Sequence, residues 1–169
     1  MLILGIDPGS LHTGYALIEK HGSGVALLDV GRISCPRALG LPARLAHLAS
    51  GLSGLLARRT PDLAVLESPF HGMNVRSLIV LAEARGALLA VLAGARIEIQ
   101  EYSPAEVKSA VTGNGRAGKD QVARMVKLLV ASPPQDWPSD ATDALAVALC
   151  GAQRLRLDRL RRSGTSAVP

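Results

Sequence analysis

Hydrophobic and polar positions along the chain follow two periods, and the switches between them predict the order of elements. Leu2 to Ile6 is a short apolar run closed by Asp7-Pro8-Gly9, where Pro8 and Gly9 suit the two central positions of a type II turn. Thr13 to Glu19 and Val25 to Ile33 read as two further strands joined by the turn residues His21-Gly22-Ser23-Gly24, which together predict an antiparallel meander. From Leu41 to Arg58 the period becomes helical, with Leu45, Leu48, Leu52, Leu55 and Leu56 on one face. Leu63 to Leu66 predicts a buried strand that ends at Glu67 and is terminated by Ser68-Pro69. A long helix follows over about Asn74 to Ala93, then a strand over Ile97 to Tyr102. Ser103-Pro104 has the form of an N-cap with proline at the first helical position. Helices over about Ala105–Val111, Lys119–Ala131 and Asp140–Leu157 complete the chain. The order β-β-β-α-β-α-β-α-α-α implies an α/β fold: a five-stranded mixed sheet with helices on both faces. One domain spans residues 1–157, followed by a basic tail, 158–169, that frays. There is no internal repeat and no dividing linker.

The 74–93 helix breaks the amphipathic rule. Between Leu78 and Ala93 only Glu83, Arg85 and Gly86 interrupt the apolar residues, so it is hydrophobic nearly all round. One side can face the sheet, and the other needs a second cover. A homodimer contact is the economical cover; burial beneath the C-terminal helices is the alternative.

Composition changes this picture in three ways. At 169 residues with 48% apolar content, the chain can bury one sizeable core without staples. Aromatics make up 2% (Phe70, Tyr15, Tyr102, Trp137), which excludes a nucleic-acid binder built on an array of stacking rings. The net charge of +5 resolves into +4 from Gly151–Pro169, with five arginines and one acid, and +1 from the first 150 residues. Cys35 and Cys150 match no zinc, haem or redox spacing and read as reduced thiols of a cytoplasmic protein. His12, His21, His47 and His71 have no ligand spacing either. The N-terminus lacks a basic n-region, and the longest stretch free of Lys, Arg, Asp and Glu is about 13 residues, so neither a signal peptide nor a membrane span is expected.

The chemistry lies in four acids. Asp7 ends the first strand, Glu67 ends the fourth, and Asp140 and Asp143 share one face of the first turn of the last helix. If the first and fourth strands are neighbours, Asp7 and Glu67 emerge side by side, and a helix packed across that edge brings the other two to them. Four converging carboxylates repel one another and become sensible once divalent cations neutralise them. All-oxygen ligands without His or Cys favour Mg²⁺ or Mn²⁺. Two such ions about 4 Å apart can activate water and stabilise the leaving oxygen of a phosphodiester. Each acid also has a bland reading: Asp-Pro-Gly is ordinary turn chemistry, and first-turn acids gain from the helix dipole. The loop Gly113-Asn114-Gly115-Arg116-Ala117-Gly118-Lys119 enters a helix and can hold a phosphate through its amides and Lys119, or can be a plain helix-to-helix loop. Arg76 and Lys108 are further phosphate-contact candidates.

These residues carry a resemblance. Gly5-Ile6-Asp7-Pro8-Gly9-Ser10 with Thr13-Gly14-Tyr15-Ala16, Glu67-Ser68-Pro69-Phe70, Ala84-Arg85-Gly86, Val107-Lys108, Gly118-Lys119-Asp120-Gln121-Val122 and Asp140-Ala141-Thr142-Asp143-Ala144-Leu145-Ala146 resemble, in order, the RuvC crossover-junction endodeoxyribonucleases. The resemblance covers about residues 2–150. It implies a ribonuclease H-like fold, a homodimer, and Mg²⁺-dependent resolution of Holliday junctions in recombination and repair, leaving 5′-phosphate and 3′-hydroxyl ends. It implies metal binding by Asp7, Glu67, Asp140 and Asp143, a catalytic Lys119, and DNA contacts from Phe70, Arg76, Lys108, Arg116 and Lys119. Some relatives carry His where this chain has Asp140. A branch-migration helicase is the partner the resemblance implies. A ribonuclease H acting on RNA–DNA hybrids and a non-catalytic DNA-binding module of the same fold are the competing readings.

Overall fold

A computed structural model describes residues 1–22, 24–69, 74–130 and 138–164, with 156–164 as backbone only. Strands β1 (Leu2–Asp7), β2 (His12–His21), β3 (Gly24–Ser34), β4 (Leu63–Glu67) and β5 (Glu98–Tyr102) form one sheet in the order β3-β2-β1-β4-β5. β1 pairs antiparallel with β2 and parallel with β4, and β2–β3 is antiparallel while β4–β5 is parallel. The sheet is therefore mixed, as the pattern implies, with the meander on one side of β1 and the parallel pair on the other.

The helices are α1 (Leu41–Arg58), α2 (Val75–Gly94), α3 (Pro104–Thr112), α4 (Lys119–Leu129) and α5 (Ser139–Gly164). Side chains alternate across β1, and so does the core. Leu4 and Ile6 pack with Leu48, Leu52 and Leu56 of α1 and Ala84, Leu88 and Leu92 of α2. Ile3 lies on the opposite face with Val107 and Val111 of α3, Val122 and Val126 of α4, and Ala144, Leu145 and Ala148 of α5. Most element ends fall within one or two residues of expectation; the largest difference is in α5, which continues past the expected residue 157 to Gly164. The expected end of α4 at Ala131 lies outside the described residues, and the described helix stops at Leu129.

α5 reaches the sheet only because two positions lack a side chain. A Cβ on Gly5 would strike the backbone oxygen of Ala144 and come within 2.6 Å of the Ala148 nitrogen; one on Gly14 would strike the backbone oxygen of Asp140. The Ala-rich face of α5 and these glycines bring the first turn of the helix directly over the β1–β2 edge. Gly14→Ala is expected to force that turn outward and destabilise the protein by about 1–3 kcal/mol. A lower urea midpoint with unchanged m-value checks this.

Among the described residues, helix α2 is covered on one side only. Ala84, Leu88 and Leu92 are buried, while Val75 and Ile79 remain 73% and 53% exposed. The helix is long and apolar enough, by length and composition, to cross a membrane, which the count of uncharged residues did not anticipate. Here it packs against α1 and the edge of the sheet, and its Arg85 side chain is engaged within the domain.

Candidate active site

A mixed sheet opens a crevice where parallel neighbours end together and the connections diverge. β1 and β4 end that way: Ile6 stands opposite Leu66, so Asp7 and Glu67 are the next residues on adjacent strands. The chain beyond Asp7 is fixed by Thr13, a buried residue whose hydroxyl donates to the Gly9 carbonyl at 2.9 Å. Beyond Glu67, the Ser68 N–H donates to the Tyr102 carbonyl at 2.8 Å. Behind the same strand end, Arg85 of α2 points Nε at the Glu67 carbonyl, 3.4 Å away, while its Nη2 pairs with Glu101 at 2.6 Å.

The crevice is a cleft of about 500 Å³ lined by Asp7, Glu67, Asp143, Lys108 and Lys119, with Val107 and Val122 among its apolar walls. Asp143 comes from α5 just past its first turn, which holds Asp140 and which the close approach at Gly14 aims at the sheet edge; the two acids were expected to share that turn. Lys108 comes from α3, whose start is fixed by a reciprocal cap: Ser103 accepts from the Glu106 N–H, and Glu106 accepts from the Ser103 N–H. Lys119 opens α4, a position where the helix dipole disfavours a cation. Its Nζ instead finds Asp143 Oδ2 at 3.0 Å, and that hydrogen bond raises the Lys119 pKa.

The electrostatics are those of crowded acids. Asp7 is pushed from 3.8 up to about 7, first by burial and then by Asp143, Glu67 and Asp140, with Lys119 opposing. Glu67 is raised too, by burial and Asp143, against the pull of Lys108 and Lys119. Asp140 thus belongs to the cluster but stands apart in one respect. Its Oδ2 pairs with Arg32 Nη1 at 3.4 Å, and it does not line the cleft. Among the described residues no set of acids, histidines or cysteines closes tightly enough to enclose an ion in this arrangement, with Lys119 on Asp143 and Arg32 on Asp140. The donor set itself fits a hard divalent cation. It is all carboxylate, and a cation would relieve the repulsion that burdens Asp7.

Of the expected DNA contacts, Lys108 and Lys119 stand at the cleft. Arg116 is exposed in the loop before α4, where its N–H donates to Asn114 Oδ1 at 3.0 Å. Arg76 is exposed at the start of α2 and does not line the cleft. Phe70 and His71 lie outside the described residues. Arg32, Arg85 and Thr13 were not singled out from sequence; of these only Arg85 and Thr13 sit within recognisable motifs.

The sequence model of the family described as crossover junction endodeoxyribonuclease RuvC matches residues 3–151. The chain belongs to the RuvC family. A RuvC of Trichlorobacter lovleyi is 44% identical over 159 residues, covering 93% of this chain and 89% of that protein. One from Anaeromyxobacter sp. strain K is 44% identical over 154 residues, covering 91% and 82%. In structure the chain is similar to Thermus thermophilus RuvC in complex with a Holliday junction substrate, with a TM-score of 0.87, 28% identity, and 94% and 96% of the two chains covered. A yeast mitochondrial Holliday junction resolvase shares the fold at a TM-score of 0.72 and 15% identity. The RuvC-family match spans every strand, all of the cleft residues and the first half of α5, and stops before the basic end of that helix.

Proposed function

We propose that this chain is a structure-selective endonuclease that resolves Holliday junctions by metal-dependent phosphodiester hydrolysis, each protomer of a homodimer cutting one strand. The observation that carries this reading is the convergence of Asp7, Glu67 and Asp143, with Asp140 beside them, at one cleft flanked by Lys108 and Lys119 in a RuvC-family fold. Comparing cleavage of a synthetic four-way junction, a linear duplex and an RNA–DNA hybrid in Mg²⁺ tests it. Selective paired nicking of the junction supports the reading, and preference for the hybrid would favour the ribonuclease H alternative.

In this mechanism Asp7, Glu67, Asp140 and Asp143 hold two Mg²⁺ or Mn²⁺ ions, which supply Lewis-acid activation of water and stabilise the leaving oxygen when bound. Lys108 and Lys119 place the scissile phosphate against the carboxylates by charge. Lys119 also stays protonated, because Asp143 raises its pKa, and so offers a fixed positive charge to the pentacoordinate phosphorus transition state. The products carry 5′-phosphate and 3′-hydroxyl ends. Phe70, Arg76 and Arg116 extend the DNA contact, Phe70 by stacking on a junction base. A branch-migration helicase as partner and a cytoplasmic location complete the reading.

The dimer joins through α2. Its exposed face carries Val75, Ile79, Ala82, Gly86, Ala90 and Ala93, mostly small side chains that let two helices approach closely, with Glu83 the one acid among them. Burying that face removes apolar surface from water at about 25 cal/mol per Å². Ile79→Asp is expected to convert the dimer to monomer in sedimentation velocity at micromolar concentration; a wild-type chain that is already monomeric there rejects this interface.

A further inference from the structure

We propose that Arg32 is a positioning residue for the nuclease site, holding Asp140 by one carboxylate oxygen so that the other is presented to a divalent cation. The inference deepens the reading above and rests on Asp140 being a cation ligand. Arg32 lies on β3 directly across from Gly14 of β2. Gly14 is the position whose missing side chain lets the Asp140 backbone oxygen sit against the sheet. Asp140 is therefore held twice at one point of the β2–β3 ladder, its backbone on Gly14 and its carboxylate by Arg32 Nη1 at 3.4 Å.

The guanidinium is itself anchored. Its Nε donates to Ser34 Oγ at 3.0 Å, and Ser34 Oγ lies 3.3 Å from His12 Nδ1. Two contacts from one planar fork fix the direction of Arg32 in a way a flexible ammonium would not. Asp143, one helical turn further along α5, has its own cation, Lys119, from a different element. With Asp7 and Asp143 nearby, an unheld Asp140 side chain would rotate away from like charge. Arg32 removes that freedom, as a carboxylate's hydrogen-bond partner does behind a metal ligand. The pair is too solvent-exposed, at 37% and 28%, to matter much for stability, so its loss leaves a folded protein.

The experiment measures Mn²⁺ binding by isothermal titration calorimetry in the full chain, alongside junction affinity without divalent cation. Arg32→Ala is expected to weaken Mn²⁺ binding at one site by about tenfold, the low end for such partners, with junction affinity unchanged. Ser34→Ala keeps the charge but loosens the fork, and is expected to weaken Mn²⁺ binding by a smaller factor in the same direction. Unchanged or tighter Mn²⁺ binding in Arg32→Ala overturns the proposal. So does loss of junction affinity alone, which would make Arg32 a phosphate contact. Asp140→Asn serves as the control: if it binds Mn²⁺ as wild type does, the ligand reading of Asp140 fails, and a weakened Asp140→Asn beside a normal Arg32→Ala sinks the positioning role only.

Discussion

Asp7→Asn is expected to lower the single-turnover rate of junction cleavage by about a thousandfold, while the protein still binds the junction. Asp7 sits at the meeting point of the cluster: its carboxylate feels Asp143, Glu67 and Asp140 together, and Lys119 on the other side. If the carboxylates neutralise two cations as proposed, removing one charge would lose several kcal/mol of transition-state stabilisation, and about 4 kcal/mol corresponds to a factor of a thousand. Binding is expected to survive because, in the proposed function, Lys108, Lys119 and surface basic groups hold the DNA, and one fewer carboxylate reduces repulsion toward phosphate. The same variant is expected to stabilise the metal-free protein at pH 8, since an amide relieves the burial and repulsion that burden Asp7. Gel-resolved cleavage, fluorescence anisotropy with a labelled junction and urea unfolding read the three effects. Retained nicking by Asp7→Asn would remove Asp7 from the catalytic machinery whatever the stability change.

Some parts of this site are visible in the sequence and others are not. The strand ends at Asp7 and Glu67 follow from apolar runs stopped by Pro8 and Pro69, because local chemistry alone terminates a strand there. The i, i+3 spacing of Asp140 and Asp143 puts them on one helical face without reference to anything else. Their approach to Asp7 was conditional on β1 and β4 being neighbours, a pairing between segments about 60 residues apart that periodicity cannot specify. The condition is met because the meander occupies one side of β1 and leaves its other edge to β4. Arg32 was illegible for a related reason. Its partner depends on the cross-strand register that places it opposite Gly14, and on a helix more than 100 residues later landing on that glycine. Gly14 was visible as part of a motif, but its reason, room for the backbone of α5, is a tertiary fact. The extension of α5 to Gly164 went unseen because Arg-rich sequence past 157 looks the same in a solvated helix as in a tail.

Metal and pH are expected to act on stability through the same carboxylates. In the metal-free protein the Asp7 pKa stands at about 7, against 3.8 for an unperturbed carboxyl. Between those values the folded state keeps a proton that the unfolded chain has released. The contribution of Asp7 is thus greatest below 3.8 and is lost as pH rises to about 7, with a slope of at most about 1.4 kcal/mol per pH unit. Glu67, raised for similar reasons, adds in the same direction. Metal-free wild type is therefore expected to lose about 2 kcal/mol from Asp7 between pH 5.5 and pH 8, and Asp7→Asn to lack this component. Mg²⁺ or Mn²⁺ is expected to reverse the trend: ions that bind the ionised carboxylates would stabilise the protein more as pH rises, and EDTA would abolish that stabilisation. At pH 6 metal binding must also expel a proton, which calorimetry in buffers of different ionisation enthalpy measures directly. Urea midpoints for wild type and Asp7→Asn, with and without Mg²⁺, at pH 5.5 and 8 test the linkage. If the difference between the two proteins is the same at both pH values without metal, Asp7 is ionised throughout and the carboxylates of this cleft do not crowd one another.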